Sequence, residues 1–236
     1  MKLNAVLDKR ALVYSLSLPW VDTPLAGVAR RMLEREGGET ASRATTVVRY
    51  DEGASFTEHV HDMGEELIVL KGVFSDESGD YGEGMYVRNP PGSSHAPFAR
   101  KGCEIFVKLR QFSPEDNNVV RVNTGTSAWL QTAVEGQCVM PLYRRDGSDP
   151  EYVSLLKWSP GVRLPRHEHR GGEEVFVLKG SFGDELGLYP EGTWLRNPDG
   201  SSHQPYSADG CVLYIKTGHL QNSQTPSLNK ERKLSS

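Results

Sequence analysis

Six of the seven histidines in this 236-residue chain fall into two matching triplets. Two histidines one residue apart, as in HVH and HEH, point to the same face of a strand with Cα atoms roughly 6–7 Å apart. A pair of glutamates follows each HxH, and a third histidine arrives later in NPPGSSH or NPDGSSH. Neutral imidazoles combined with a carboxylate suit Zn, Fe, Mn, Ni or Cu. A lone histidine is commonly structural, but two matched triplets favour two metal sites.

An internal repeat explains the matching triplets. Residues 59–109 align with residues 167–217 without a gap, and 27 of the 51 positions are identical. The match continues weakly upstream, where Trp20 and Gly27 correspond to Trp129 and Gly136 with one residue lost. Such self-similarity indicates a duplicated structural unit of roughly 108 residues.

The segments inside each unit read as short strands. ELIVLKG, MYVRNPP and EIFVKL in the first copy match EVFVLKG, TWLRNPD and VLYIKT in the second, with Gly, Pro, Asn and Asp between them. These features favour an all-β protein of two tandem barrels, with a short helix conceivable only within residues 24–37. We predict four segments: a first barrel with an N-terminal arm at 1–110, a linker at 111–128, a second barrel at 129–218 and a polar tail at 219–236.

Composition excludes several classes of protein. The net charge of −4 is not typical of a nucleic-acid partner or an anionic membrane partner, and no apolar run approaches the ~20 residues of a membrane span. Three cysteines without a CxxC motif give neither a disulfide framework nor a cysteine-rich zinc site. We therefore expect a cytoplasmic protein with no membrane or nucleic-acid partner, in which a homodimer is conceivable.

The motifs resemble those of a known superfamily. The spacing G53-x5-H-x-H-x3-E-x6-G72, followed by G84-x5-P-x-G-x2-H95, resembles the two signature motifs of the cupins, and the second copy repeats both. More narrowly, GEELIVLKGVFSDESGDY and YVRNPPGSSHAPF are similar to the ChrR-type cupin domain of certain bacterial anti-sigma factors and stand-alone proteins. The resemblance implies two jelly-roll barrels with one divalent metal each, Zn or Fe being favoured. Its implied ligands are His59, His61, Glu65 and His95 in the first barrel, and His167, His169, Glu173 and His203 in the second.

The adjacent glutamates divide between two roles. The spacing in the family favours Glu65 and Glu173 as ligands, whereas Glu66 and Glu174 should lie on the opposite faces of their strands because side chains alternate.

Other matched residues favour structural interpretations. We expect Cys103 and Cys211 to be buried thiols, with redox sensitivity as the alternative. We expect the basic residues to lie on the surface or at the barrel mouth, with contact to a substrate carboxylate as the alternative. These residues are Arg88, Arg196, Lys108 and Lys216. We expect His219 to be solvated near the tail, and Asp76–Glu77 and Asp184–Glu185 to belong to hairpin turns.

Two functions follow from the predicted sites. The resemblance implies a sensory or regulatory cupin linked to oxidative stress, with a small molecule or reactive oxygen at the metal. Sigma-factor binding does not carry over, because the chain has no histidine before His59 and lacks the HxxxCxxC motif of the anti-sigma zinc domain. The alternative is an iron-dependent dioxygenase acting on a diketone or a phenolic ketone, so the choice between enzyme and sensor stays open.

Overall fold

The structure is a computed structural model that describes residues 1–147 and 150–220. Within these residues the architecture is all β, with one 3₁₀ turn at Ser15–Ser17 and 23 strands. The strands up to the end of the first repeat are β1 (Lys2–Leu3), β2 (Ala11–Tyr14), β3 (Val21–Asp22), β4 (Val28–Gly37), β5 (Ala41–Tyr50), β6 (Ala54–Ser55), β7 (His59–Val60), β8 (Glu65–Asp76), β9 (Gly79–Gly82), β10 (Met85–Asn89), β11 (Ser94–His95), β12 (Phe98–Ala99) and β13 (Cys103–Leu109). The remaining strands are β14 (Val120–Asn123), β15 (Leu130–Gln131), β16 (Gln137–Arg145), β17 (Glu151–Trp158), β18 (His167–His169), β19 (Glu173–Asp184), β20 (Gly187–Pro190), β21 (Thr193–Asn197), β22 (Ser201–His203) and β23 (Cys211–Thr217).

The strands form two antiparallel barrels of the same design. The main sheet of the first barrel runs β1-β4-β5-β13-β8-β10-β14, and that of the second runs β15-β16-β17-β23-β19-β21-β2. A small two-stranded sheet accompanies each of them, β7 with β11 and β18 with β22. The predicted fold of two tandem jelly-roll barrels is confirmed.

Both faces of the central strands are buried, which explains their nearly continuous apolar sequence. On β8, Leu67 and Val69 pack inside the first barrel with Phe74 and Ile105. Ile68 points the other way, into a core shared by the two barrels. Because side chains alternate along β8, one face of this strand lies in the barrel interior and the other lies in the interface between the barrels.

The two barrels exchange strands. The second barrel includes a strand from the segment before the first repeat, and the first barrel includes a strand from the segment before the second repeat. β2, in the N-terminal arm, pairs with β21 of the second barrel, with Leu12 opposite Leu195. Reciprocally, β14 pairs with β10 of the first barrel, with Val122 opposite Tyr86. β14 lies within the predicted linker of residues 111–128, so this part of the chain carries sheet structure.

The short helix considered for residues 24–37 is wrong. Residues 28–37 form β4, which pairs along its length with β5. The helix-favouring run RRMLERE adopts extended structure because the ladder with β5 and the burial of Leu33 at the interface outweigh local propensity.

A buried ionic network lies between the barrels. Glu66 on β8 receives hydrogen bonds from Arg88 at 2.5 Å and from Lys216 of the second barrel at 2.8 Å. Lys216 also lies 2.9 Å from Glu151, and Arg88 lies 2.5 Å from Asp116. Burial alone raises the pKa of Glu151, but Lys216 and Arg88 outweigh that effect and hold it at about 2. The network therefore pairs ionised carboxylates with cationic side chains.

A second network occupies the symmetry-related position. Lys108 of the first barrel contacts Glu174 of the second, and Nε2 of His219 lies 2.9 Å from the same carboxylate. Arg196 contacts Glu34 across the interface. The two networks join the barrels through reciprocal contacts. Glu66 of the first repeat contacts Lys216 of the second, and Glu174 of the second repeat contacts Lys108 of the first.

These contacts correct two expectations about charged residues. The surface or barrel-mouth positions expected for the basic residues are wrong, because the interface excludes them from solvent: Arg88, Arg196, Lys108 and Lys216 are each 0–1% exposed. The solvated position expected for His219 is also wrong, because this residue packs against Glu174. The rest of the predicted tail, residues 221–236, lies outside the described residues.

The repeated cysteines are buried inside their own barrels. Cys103 and Cys211 are free thiols in the two barrel cores. Burial raises the pKa of Cys103 to about 12 and that of Cys211 to about 11. Both thiols therefore stay protonated near neutral pH, which disfavours the redox alternative.

Candidate metal centres

Strand pairing brings the histidines of the first repeat together. β7 and β11 place His59 directly opposite His95, and His61 follows two residues after His59. The three rings are in mutual edge contact, with centroids 4.7–5.0 Å apart. One nitrogen from each of the three rings lies within 4.8 Å of the other two, a spacing that allows a shared cation.

The predicted glutamate lies beside the rings. Oε2 of Glu65, at the start of β8, is 3.6 Å from Nε2 of His61 and 3.5 Å from Nε2 of His95. Glu66 points to the opposite side of β8, into the inter-barrel network. Strand alternation thus separates the two neighbouring carboxylates, one toward the rings and one toward the other barrel.

The second repeat builds the same arrangement. β18 and β22 place His167 opposite His203, and the nitrogens of these two rings and of His169 again lie within 4.8 Å of one another. Oε2 of Glu173 is 3.5 Å from Nε2 of His169 and 3.8 Å from Nε2 of His203. All eight residues predicted from the sequence are therefore gathered in two clusters of four.

The ring nitrogens that face the clusters are suited to a cation. Among the described residues, the buried Nε2 atoms of His61, His95, His169 and His203 have no hydrogen-bond partner. An unpaired buried polar atom is costly, and a metal ion would satisfy all of those in one cluster together. The donor set of three imidazoles and one carboxylate therefore fits a divalent transition metal.

Burial keeps the imidazoles in the form that binds metals. It lowers the pKa of His169 to about 4, with a smaller effect from neighbouring His167. Burial likewise lowers the pKa of His61 and of His203. Neutral rings with a free lone pair are therefore present at pH 7.

A carboxylate that the sequence interpretation assigned to a turn orients the third histidine of each cluster. Nδ1 of His95 lies 3.2 Å from Asp76 at the end of β8, and Nδ1 of His203 lies 3.1 Å from Asp184. Because a carboxylate accepts the Nδ1 proton, the lone pair remains on Nε2, facing the cluster. Tyr81 holds the other oxygen of Asp76, 3.1 Å away.

The glutamates are positioned in the same way. Asn89 donates to Glu65 and Asn197 donates to Glu173, each over 3.0 Å. Sequence reasoning missed these asparagines and aspartates. The available signal was their exact repetition at the 108-residue spacing, the asparagines within the predicted strand segments MYVRNPP and TWLRNPD and the aspartates within the Asp-Glu pairs assigned to hairpin turns.

A cavity of about 510 Å³ adjoins the first cluster. His59, His61 and Glu65 line it together with Tyr50, Ile105 and Val107. His59 is the most accessible of the three histidines, since His61 and His95 are 6% and 3% exposed. The volume is in the range of small-molecule sites.

Comparison with known proteins agrees with the fold and with its duplication. The sequence model of the ChrR cupin-like domain family matches this chain twice, over residues 8–113 and 117–221. The chain belongs to this family. A search of curated proteins found no significant match. Among the described residues no helix has the length and apolar character needed to cross a bilayer.

Solved structures of other cupins are similar over nearly the whole chain. A candidate dioxygenase from Nostoc punctiforme has a TM-score of 0.73 at 14% identity, covering 94% of this chain and 87% of its own. A candidate glyoxylate-induced protein from Pseudomonas aeruginosa has a TM-score of 0.71 at 12% identity, with 92% of this chain and 90% of its own covered. A deletion mutant of Bacillus subtilis oxalate decarboxylase has a TM-score of 0.61 at 15% identity, with 88% and 76% covered. At these identities the likeness establishes the fold alone.

Removal of the carboxylate behind His95 should weaken metal binding at the first cluster. We expect Asp76→Ala to lower the affinity of that cluster about 10–100-fold, because His95 loses the partner that fixes its tautomer. Competition with a chromophoric chelator measures the affinity. Asp80→Ala, on the same hairpin but paired with Ser75, is the matched control and should bind normally. Equal affinities of the two variants would contradict the role assigned to Asp76.

Proposed function

We propose that the protein is a metal-dependent bicupin that holds one divalent cation in each barrel, and that its first barrel is a dioxygenase acting on a diketone or a phenolic ketone. The ligands are His59, His61, Glu65 and His95 in the first barrel, and His167, His169, Glu173 and His203 in the second. Fe(II) is proposed for the first barrel, and Zn or Fe for the second.

The observation that supports an enzyme is the position of the first cluster at the wall of the 510 Å³ cavity. An ion with four protein ligands has further coordination positions when it is five- or six-coordinate, and the cavity gives a small molecule access to them. Fe(II) bound there would supply oxygen activation and Lewis-acid polarisation of a ketone or its enolate.

The residues of the chain contribute binding and protection. Tyr50, Ile105 and Val107 surround the approach to the cluster with apolar surface, which limits water around an enolate. Asp76 and Asn89 hold His95 and Glu65 in fixed orientations, so the ligands need not reorganise when a substrate arrives.

An oxygen-uptake experiment with matched variants tests the proposal. Metal-free protein is reconstituted anaerobically with Fe(II) or Zn(II), and uptake is followed with a panel of 1,3-diketones and phenolic ketones. We expect uptake only with Fe(II), its loss in His61→Ala, and its retention in His169→Ala, the equivalent variant of the other barrel. Iron-loaded protein that consumes no oxygen with any member of the panel would contradict a dioxygenase.

A sensory role is the second candidate, favoured by the adjacency on β8 of a residue of the first cluster and a residue of the barrel interface. Glu65 and Glu66 are neighbours on β8, and Glu66 bonds to Lys216 of the other barrel. A change of the metal could therefore alter the inter-barrel contacts. Peroxide treatment followed by elemental analysis and hydrogen exchange of β8 and β23 tests this role, which requires metal loss or oxidation together with altered exchange at the interface.

A further inference from the structure

Two arginines line the same cavity as the metal-binding histidines. Arg30 and Arg35, both on β4, are wall residues of the cavity that also contains His59 and His61. Arg35 is only 5% exposed and the Arg30 side chain 14%. Guanidinium groups are costly to bury without an anion, so their presence in a largely apolar cavity calls for a partner.

An irregularity in β4 brings the two arginines to one face. Residues five apart on a regular strand point to opposite sides, because side chains alternate. The β4–β5 register shifts between Met32 and Glu34, so Arg30 lies opposite Val48 and Arg35 lies opposite Ala44. These partners are four residues apart on β5 and share a face. The bulge therefore allows both guanidinium groups to face the cavity.

A carboxylate of the chain itself is bound by Arg30. Arg30 holds Glu39 through two parallel hydrogen bonds of 3.0 and 2.7 Å, and this hydrogen bonding lowers the pKa of Glu39. The Glu39 side chain is nevertheless 59% exposed, on the hairpin that joins β4 to β5. Arg35 donates to the backbone carbonyls of Gly38 and Glu39, which are neutral groups. Fork-like recognition of a carboxylate is thus already formed, with a partner that solvent can reach.

The second repeat lacks this arrangement. Val139 takes the place of Arg30, opposite Leu156 in the β16–β17 ladder. Arg144 takes the place of Arg35, but its side chain is 68% exposed and pairs with Asp146. The repeats therefore share their histidines and differ in the arginines, as expected if the arginines serve a ligand of the first barrel only.

We propose that Arg30 and Arg35 bind the carboxylate of a small organic acid whose other end reaches the metal cluster of the first barrel, and that Glu39 occupies the carboxylate position until the ligand displaces it. This inference rests on the metal site of the proposed function and narrows its substrate class to ketones that also carry a carboxylate. A ligand anchored at both ends is held in one orientation within the cavity.

Calorimetric titration with a series of dicarboxylates tests the inference. The probes run from malonate to adipate, with the corresponding diamides as neutral controls, and the protein is loaded with redox-silent Zn(II). We expect one chain length to bind best and its diamide to bind at least about tenfold more weakly, because a charged fork contact is lost. Arg30→Val, which introduces the residue of the second repeat, and the milder Arg30→Gln should each weaken binding of that dicarboxylate by a similar factor.

Glu39→Ala gives the most specific result. Removal of the internal competitor should make the dicarboxylate bind several-fold more tightly, a gain that misfolding cannot produce. Arg144→Gln, at the equivalent position of the second barrel, should bind as the parent protein does. Elemental analysis of every variant keeps the two proposals separate: a parent protein without metal contradicts the proposed function. Metal-loaded protein whose dicarboxylate affinity is unchanged by both Arg30→Val and Glu39→Ala overturns this inference.

Discussion

His61→Ala should reduce the metal content of the protein from two ions per chain to one and destabilise the first barrel. The substitution removes one of three imidazoles that share the cluster with Glu65. At free metal a thousandfold above the dissociation constant, an ion that binds only the folded state contributes about 4 kcal/mol to the free energy of unfolding. Elemental analysis and thermal unfolding, with and without chelator, measure the two effects.

The duplicated cluster supplies the control for this experiment. His169→Ala should remove the ion of the second barrel and leave that of the first, and the double variant should bind none. Parent protein purified without metal, with an unfolding temperature that neither chelator nor added Zn(II) or Fe(II) changes, would contradict both metal sites.

Glu66→Leu should lower the free energy of unfolding by about 2–4 kcal/mol, because it removes a buried carboxylate that two cations share, although Arg88 keeps its contacts with Asp116 and Glu151 and Lys216 keeps its contact with Glu151. Arg88 and Lys216, both fully buried, contact Glu66 at 2.5 and 2.8 Å. Urea unfolding, followed by tryptophan fluorescence, gives the loss of stability.

An exposed ion pair provides the comparison. Glu36 pairs with Lys2 over 3.1 Å, with side chains 42% and 78% exposed, so Glu36→Leu should cost less than about 1 kcal/mol. Because Glu66 adjoins the proposed ligand Glu65, the metal content of Glu66→Leu must be measured as well. A loss no larger than that of Glu36→Leu, at unchanged metal content, would show that the interface network contributes little.

The barrels and the histidine clusters could be predicted because their signals are local and repeated. Alternation through β18 and at the end of β7 brings the two rings of each HxH motif together, and the 108-residue repeat confirms the pattern within the same chain. Likewise, the opposite orientations of Glu65 and Glu66 follow from alternation alone.

The inter-barrel contacts could not be predicted, because they depend on how two similar units pack. Lys108 and Lys216 occupy strand positions whose side chains point away from the barrel interior, and charged side chains at such positions are normally exposed to solvent. Here the other barrel covers this part of the outer face, so these residues are buried beside glutamates distant in sequence. The same long-range pairing explains why residues 28–37 form a strand despite a helix-favouring composition.

The reciprocal exchange of β2 and β14 has a consequence for biogenesis. β2 emerges from the ribosome long before its partner β21, which follows in the second repeat. The first barrel, by contrast, obtains β14 soon after its own repeat is translated. β2 therefore waits for its partner while β1 of the same arm pairs with β4 of the first barrel, and the second barrel is completed last by capturing β2. Translation of β21 thus allows the second barrel to tie the N-terminal arm into its sheet.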